Sequence, residues 1–199
     1  MKLYAVLIAL LMAGSATAQE PPTVAFDQLE YSAGASSSGG DLTITASTEP
    51  LSSEGEPSFL GSPVPGRDFT IRAQLDFSPL ASGDVAGLAV RRDGAHWLAI
   101  QVERIEPADL VAVRLRDGGE SPPGGRLIAT TALPGSAGGK VRLRIDGRDG
   151  AYALMFATGN GLWQVLAEGI DGSSLSAPDM LAGPFATDGA ERKSLESRQ

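Results

Sequence analysis

The chain has 199 residues, 42% of them hydrophobic, and a formal net charge of -8 at pH 7. This length and composition fit one globular domain and exclude a disordered chain. The absence of cysteine excludes disulfides, thiolate metal sites and cysteine nucleophiles, and the single histidine excludes a multi-histidine metal site. The acidic balance argues against nucleic acid as a partner, and 25 glycines with 13 prolines indicate many turns.

The first 18 residues have the form of an export signal. Lys2 precedes an apolar run from Leu3 to Ala13, and residues 16–18 read Ala-Thr-Ala, the small-x-small pattern that signal peptidase recognises. This run is too short for the hydrocarbon core of a membrane, which needs about 20 residues. We therefore expect cleavage after Ala18, a secreted or periplasmic protein, and no membrane insertion after cleavage.

Residues 19–40 are predicted to form an N-terminal segment outside the folded domain. Within it, residues 24–26 favour a short strand, whereas the Gly/Ser-rich residues 32–40 are typical of a loop or linker. The folded domain is predicted over residues 41–187, and residues 188–199 form a polar tail.

Apolar and polar residues alternate with a period of two through the predicted domain, as in β-strands rather than helices. Strands are predicted at residues 41–45, 69–77, 86–90, 96–103, 111–116, 141–146, 152–156 and 162–167. Turn-forming pairs such as Asp93-Gly94 and Asp149-Gly150 separate most of them. A sandwich or a barrel fits this pattern, and one apolar face per strand favours an all-β, two-sheet antiparallel jelly-roll sandwich.

Few residues offer catalytic chemistry. His96 is the only imidazole, and alternation places it on the core side of its strand, which favours a packed histidine over a member of a catalytic triad. Asp76, Glu103 and Glu106 are the candidates for the paired carboxylates of a glycosidase, although their outward or turn positions favour solvated acids. No catalytic residue is therefore predicted.

Metal and cofactor sites are also poorly supported. Residues 146–150 hold two Asp-Gly pairs, but they lack the rhythm of a calcium-binding loop and place an arginine among the ligands. Asp-Gly pairs are first of all turn formers. We expect no cofactor, and a structural calcium ion bound elsewhere stays open.

One outward-facing group suggests ligand binding. Trp97, Gln101 and Glu103 alternate away from the core, and Arg91 lies in the same register one strand earlier. An exposed tryptophan flanked by polar groups could stack on a sugar ring and hydrogen-bond its hydroxyls, so these four are the predicted carbohydrate-binding residues. The alternative is that Trp97 lies under a loop. Trp163, by contrast, is predicted to face the core.

Short segments match, in order, a known family. They are residues 57–61, 68–71, 75–79, 86–88, 96–100, 141–145, 152–156, 161–163, 175–176 and 183–185, the last two fitting its final loop. From Ser58 to about Ala186 the chain thus resembles the C-terminal concanavalin A-like β-sandwich of glycoside hydrolase family 43 β-xylosidases. In that family the domain follows and packs on a β-propeller that carries the catalytic acids. No position here matches those acids.

The family's closing strand has no match after Phe185. Either the sheet lacks this edge, or the N-terminal segment fills it, or the sequence is truncated. The resemblance does not imply what the domain does alone. With the export signal and the missing catalytic acids, we expect an exported, non-catalytic carbohydrate-binding or accessory module in the use of xylan or arabinan. Its implied partners are an oligo- or polysaccharide and a glycosidase catalytic domain.

Two other functions stay open. One is a glycoside hydrolase fragment, or a subunit that completes a separately encoded β-xylosidase or arabinofuranosidase. If the chain were itself an enzyme, it would then be an O-glycosyl hydrolase. The other is an envelope adhesion or scaffold domain without a sugar ligand.

Overall fold

The computed structural model describes residues 20–33, 36–64, 66–175 and 179–189. The predicted export signal and its cleavage site, and the tail from residue 190 onward, lie outside the described residues. Within the described ranges the backbone forms twelve β-strands, two 3-10 helices and no α-helix. Accordingly, no helix in this part of the chain has the length and apolarity to cross a membrane.

The strands form two six-stranded sheets. In chain order they are β1 (Thr23–Ala33), β2 (Ser36–Thr45), β3 (Ser62–Pro63), β4 (Phe69–Asp76), β5 (Val85–Asp93), β6 (His96–Ile105), β7 (Ala108–Asp117), β8 (Arg126–Ala132), β9 (Lys140–Arg148), β10 (Ala151–Ala157), β11 (Gln164–Asp171) and β12 (Leu181–Thr187). Sheet A has the order β11-β10-β9-β4-β1-β2, and sheet B has the order β3-β12-β5-β6-β7-β8. All pairings within the sheets are antiparallel, so the predicted two-sheet sandwich is confirmed.

The core lies between the sheets and follows from the alternation. In β4, Phe69, Ile71 and Leu75 are at most 1% exposed, while the intervening polar residues point outward. The two short 3-10 helices, Gly135–Ala137 and Ser173–Leu175, lie in connections. The predicted Asp149-Gly150 turn joins β9 to β10, with φ of 52° and 84°, as the tightest hairpin turns require.

The N-terminal segment differs from its prediction. Most of residues 32–40, expected to be a linker, lies in β1 and β2, so the sandwich begins at Thr23 rather than Asp41. The difference arises because β1 and β2 pair closely. A Cβ on Gly39 would lie 2.0 Å from the Leu29 carbonyl oxygen, so the glycine that suggests a loop is required for the strand pairing. These two strands form the edge of sheet A beyond β4, which fits the option that the N-terminal segment fills an edge.

Three strands were not predicted, namely β8, β12 and the two-residue β3. β8 is an edge strand without clean alternation, and its Leu127 is 48% exposed. β12 contains Pro184, and the sequence predicts a loop at residues 183–185. The Pro184 carbonyl accepts a hydrogen bond from Leu60 N (3.0 Å), so the side that lacks an N–H faces away from β5 and the ladder with β5 is kept.

Candidate functional site

The outer face of sheet B, the face turned away from the sandwich core, carries all four predicted carbohydrate-binding residues. Trp97, Gln101 and Glu103 lie on β6, and Arg91 lies opposite Trp97 on β5. Residues with even numbers in this part of β6, such as Leu98 and Ile100, belong to the core instead. The strand alternation therefore brings the predicted residues to one face.

The exposure predicted for Trp97 is wrong. Its side chain is 3% exposed, and Gln101 and Glu103 are 4% and 3% exposed. A covering segment, residues 46–61, crosses this face, and its Leu51 packs with Trp97 and Phe185 in a second hydrophobic cluster outside the main core. The alternative named above, a tryptophan under a loop, describes the structure.

Arginines hold the covering segment in place. Arg91 donates from Nε to the Leu51 carbonyl and from Nη2 to the Ser53 carbonyl, both at 3.0 Å. Arg116 on β7 donates from Nη1 to the carbonyls of Gly94 (2.5 Å) and Ser52 (3.4 Å). Because these guanidiniums bond to main-chain carbonyls, Arg91 acts on the shape of the face rather than as a first contact for a ligand.

Glu103 is a buried carboxylate with a partner that the sequence did not reveal. Arg114 on β7 donates from Nε to Oε1 (2.5 Å) and from Nη2 to Oε2 (3.2 Å), and Gln101 Nε2 donates to Oε1 (2.8 Å). Arg114 Nη1 also donates to the Gly125 carbonyl at 3.3 Å. The ion pair with Arg114 holds the Glu103 carboxylate in place, and the hydrogen bond to this carboxylate fixes the orientation of the Gln101 amide.

A narrow cleft opens beside these residues. Its two connected parts, of about 50 and 180 Å³, lie between residues 48–52 and the β7–β8 loop at residues 122–125. The smaller part is lined by Trp97 and Gln101, among others. Gly125 permits this approach, since its φ is +70° and a Cβ would lie 2.6 Å from the Trp97 ring. Drug-sized ligands need about 300–1,000 Å³, so the cleft fits only a small group such as one sugar ring.

The candidate glycosidase acids do not come together. Asp76 lies on the outer face of sheet A, 3.7 Å from Lys140 Nζ, while Glu103 lies on the outer face of sheet B. Stacked sheets are about 10 Å apart, and paired glycosidase carboxylates need about 5–9.5 Å. Glu106 is exposed in the β6–β7 turn.

Of the acids in residues 146–150, Asp146 has structural partners. Asp146 accepts hydrogen bonds from Thr70 (2.7 Å) and Arg144 (2.8 and 2.9 Å). Across the described ranges, no group of three or more His, Asp or Glu side chains is arranged to hold a metal ion.

His96 begins β6 and takes part in a small polar cluster. Its Nδ1 lies 2.8 Å from Asp93 Oδ1 and 2.6 Å from Arg92 Nη2. Partial burial acts to raise the pKa of Asp93, but hydrogen bonds from His96, Arg92 and the Ala95 N–H outweigh it and lower the pKa to about 2. The cluster anchors the β5–β6 turn.

This pKa predicts acid sensitivity. Because the pKa of Asp93 is lower in the folded than in the unfolded chain, its contribution to stability is present above about pH 4 and is lost as the pH falls towards 2. The side chain is 41% exposed, so we expect about 1 kcal/mol or less. Urea unfolding at pH 6 and 2.5 should show a smaller acid-induced loss for Asp93→Asn than for the wild type. A carboxyl NMR titration midpoint near 4 would contradict this.

Trp163 does not face the core as predicted. It lies half-buried on the outer face of sheet A, where the guanidinium carbons of Arg142 and Arg144 are 5.1 and 5.9 Å from its ring centre. Val165, two residues on, is 54% exposed. The prediction rested on an alternation through Val165 and Ala167, but bulges in the pairing of β10 with β11 break it, and Ala167 packs on the core while Val165 and Trp163, just before β11, lie on the solvent side.

Comparisons with known proteins agree with the observed fold. The family model described as the β-xylosidase C-terminal concanavalin A-like domain matches residues 28–187. Xylan β-1,4-xylosidase from Bacillus halodurans C-125 is similar in structure with a TM-score of 0.65 and 17% identity, over 74% of this chain and 30% of that chain. The GH43 protein BlXynB from Bacillus licheniformis gives 0.61 and 16%, over 74% and 29%.

A further similar structure is more nearly the size of this chain. A functionally unknown protein from Saccharomyces cerevisiae has a TM-score of 0.57 and 19% identity, over 81% of this chain and 88% of its own. At such identities the likeness shows the fold alone, and the chain spans about 30% of the length of the two bacterial proteins. No curated protein sequence matches it.

Proposed function

The chain belongs to the family of β-xylosidase C-terminal concanavalin A-like domains, and on that ground we propose that it is an exported, non-catalytic accessory domain that binds plant polysaccharide of the xylan or arabinan type. The observation that carries this proposal is the cleft on the outer face of sheet B, where an indole edge and an oriented amide line the smaller of two adjoining parts and the larger part has room for a sugar ring. Asp76 and Glu103 lie on the outer faces of different sheets, too far apart to act as a pair of glycosidase carboxylates, and this supports a non-catalytic role.

The chemistry of the cleft suits a saccharide. Pro50 and Pro123 provide apolar surface for the C–H faces of a sugar ring, and the buried Trp97 contributes only the small part of its ring that lines the cleft. Gln101 donates its amide nitrogen to Glu103, which leaves the amide oxygen to accept from a sugar hydroxyl, and Thr187 adds a hydroxyl at the rim. Arg91 contributes by holding the covering segment that forms one wall.

Replacing Gln101 with alanine should weaken binding to xylo- or arabino-oligosaccharides about three- to tenfold, the effect of losing one hydrogen bond. Isothermal titration calorimetry with a hexasaccharide and affinity electrophoresis in xylan gels measure it. Thr43→Ala, which removes an exposed polar side chain on β2, the edge strand of sheet A three strands away from Arg142, is the control and should bind as the wild type does. Undetectable binding by the wild type at millimolar sugar, or equal effects of both changes, would refute the cleft.

A second candidate is a subunit that completes a separately encoded β-xylosidase or arabinofuranosidase. It is favoured by the partial coverage, because comparable domains occupy only 29–30% of the xylosidase-type chains. Incubation with a propeller-type glycosidase, followed by size-exclusion chromatography, tests it. Stable co-elution with raised activity on aryl xylosides would support this subunit, whereas turnover by the chain alone would refute a non-catalytic role.

A further inference from the structure

The outer face of sheet A holds a second arrangement of aromatic and charged groups, far from the cleft. We propose that it binds a saccharide carrying a carboxylate group, a hexuronate, with the sugar ring on Trp163 and the carboxylate on Arg142. This site uses none of the cleft residues and stands on separate observations, so either site can fail without the other.

The indole of Trp163 is partly exposed next to two arginines. Arg142 and Arg144 project outward from β9, and both guanidiniums contact the indole. Since Trp163 is only half-buried, part of its ring stays open to solvent beside the Arg142 guanidinium. The neighbouring Leu162 is 89% exposed, so no described segment covers this loop. A partly exposed indole next to a guanidinium offers apolar surface to a sugar ring and a positive charge to a carboxylate on that ring.

Arg142 supplies a positive charge that is not neutralised. On the same face, Arg72 pairs with Glu30 at 2.6 Å and Arg144 pairs with Asp146 at 2.8 Å. Arg142 forms no ion pair with any described residue; its Nη2 donates to the Gly161 carbonyl and its Nη1 has no hydrogen bond to the described residues. A guanidinium with free donors binds a carboxylate in a bidentate manner.

The strand register brings three arginines close together, and their repulsion lowers the stability of the sheet. Arg144 lies directly opposite Arg72 across β9 and β4, and Arg142 follows on the same face about 7 Å along the strand. Like charges opposite each other destabilise a sheet, and two acids compensate only two of the three arginines. An anionic ligand would neutralise the third, in a chain whose overall charge is negative.

The rest of the face favours a saccharide over a protein partner. It continues as hydrogen-bonding side chains, with Thr70, Gln74 and Glu30 beside the arginines. Specific protein interfaces bury about 800 Å² per partner around a core depleted in charged residues. Here Trp163, with the exposed Leu162 and Val165 beside it, borders a row of ionic and amide groups. So charged a surface fits the hydroxyls of a sugar chain better than the core of a protein interface.

Calorimetry with matched oligosaccharides tests the proposal. The wild type should bind a xylo-oligosaccharide with a glucuronate side group about tenfold more tightly than the neutral one, and Arg142→Gln should abolish that preference. Oligogalacturonate, with its acids in the backbone, shows which source of hexuronate fits. The preference should weaken between 20 and 500 mM NaCl. Arg72→Gln, a change at an ion-paired arginine of the same face, should retain it.

The two proposals give separable results. Gln101→Ala should keep the preference for the acidic sugar, and Trp163→Ala should weaken binding of acidic sugars while leaving the neutral ligand in the cleft. Equal affinity of the wild type for acidic and neutral sugars would overturn the second site. So would an unchanged preference in Arg142→Gln, or binding of an acidic protein surface in place of uronates. Thermal melting confirms that each variant is folded.

Discussion

Replacing Trp97 with alanine should lower the free energy of unfolding by about 3–5 kcal/mol, the usual cost of removing a buried tryptophan. The indole is 3% exposed and packs with Leu51 and Phe185 beneath the covering segment. For a domain of this size, the melting temperature should then fall by roughly 6–20 °C. Urea unfolding followed by circular dichroism measures the change without relying on tryptophan fluorescence.

Trp163→Ala is the matched control. Its ring is half-buried on the outer face of sheet A and contacts two guanidiniums, interactions worth about 0.5–1 kcal/mol each at exposed sites. We therefore expect a loss of about 1–2 kcal/mol. If Trp163→Ala proved the more destabilising change, the placement of both tryptophans would be wrong and both proposed sites would lose their basis.

Glu103→Gln should also have a large effect. The change leaves Arg114 without its counter-ion beneath the β7–β8 loop, and breaking a buried ion pair costs about 3–5 kcal/mol. Since a fifth of the Arg114 side chain is exposed, we expect the lower end, about 3 kcal/mol. Chemical denaturation at pH 7 measures it, and the same change should loosen Gln101 and reduce sugar binding in the cleft.

Two comparisons separate this effect from a general loss of charge. Glu30→Gln breaks the exposed pair with Arg72 and should cost at most about 1 kcal/mol. The double variant Glu103→Leu with Arg114→Met removes both charges together and should recover most of the lost stability. A double variant no more stable than Glu103→Gln alone would show that packing, rather than the unpaired charge, explains the loss.

The strands of the sandwich were predictable because they alternate one apolar face with one polar face. The same period placed Trp97, Gln101 and Glu103 together on the outer face of sheet B. The burial of Trp97 was not predictable, since residues 46–61 have no regular pattern and pack across the sheet only in the folded chain. For Trp163 the period predicted one face for Val165 and Ala167, but bulges between β10 and β11 place them on different sides, and sequence alternation does not reveal such bulges.

Other elements lacked any local signal. The Ser/Gly-rich residues 36–40 form a strand because the neighbouring strand β1 offers backbone partners, not because their side chains favour one. The Glu103–Arg114 pair depends on the register between β6 and β7, which composition and spacing do not define. Likewise, Pro184 indicates a loop when read locally, and only the hydrogen bond to Leu60 shows how a strand accommodates it.

The position of β12 has a consequence for biosynthesis. This last described strand inserts between β3 and β5, and Leu181 pairs with Arg91, which is made long before it. Pairings so distant in sequence fold slowly. While a nascent chain lacks β12, the edge of β5 stays open, and such an edge readily pairs with other chains. A topology of this kind suits a polypeptide that chaperones keep unfolded until every strand has left the ribosome.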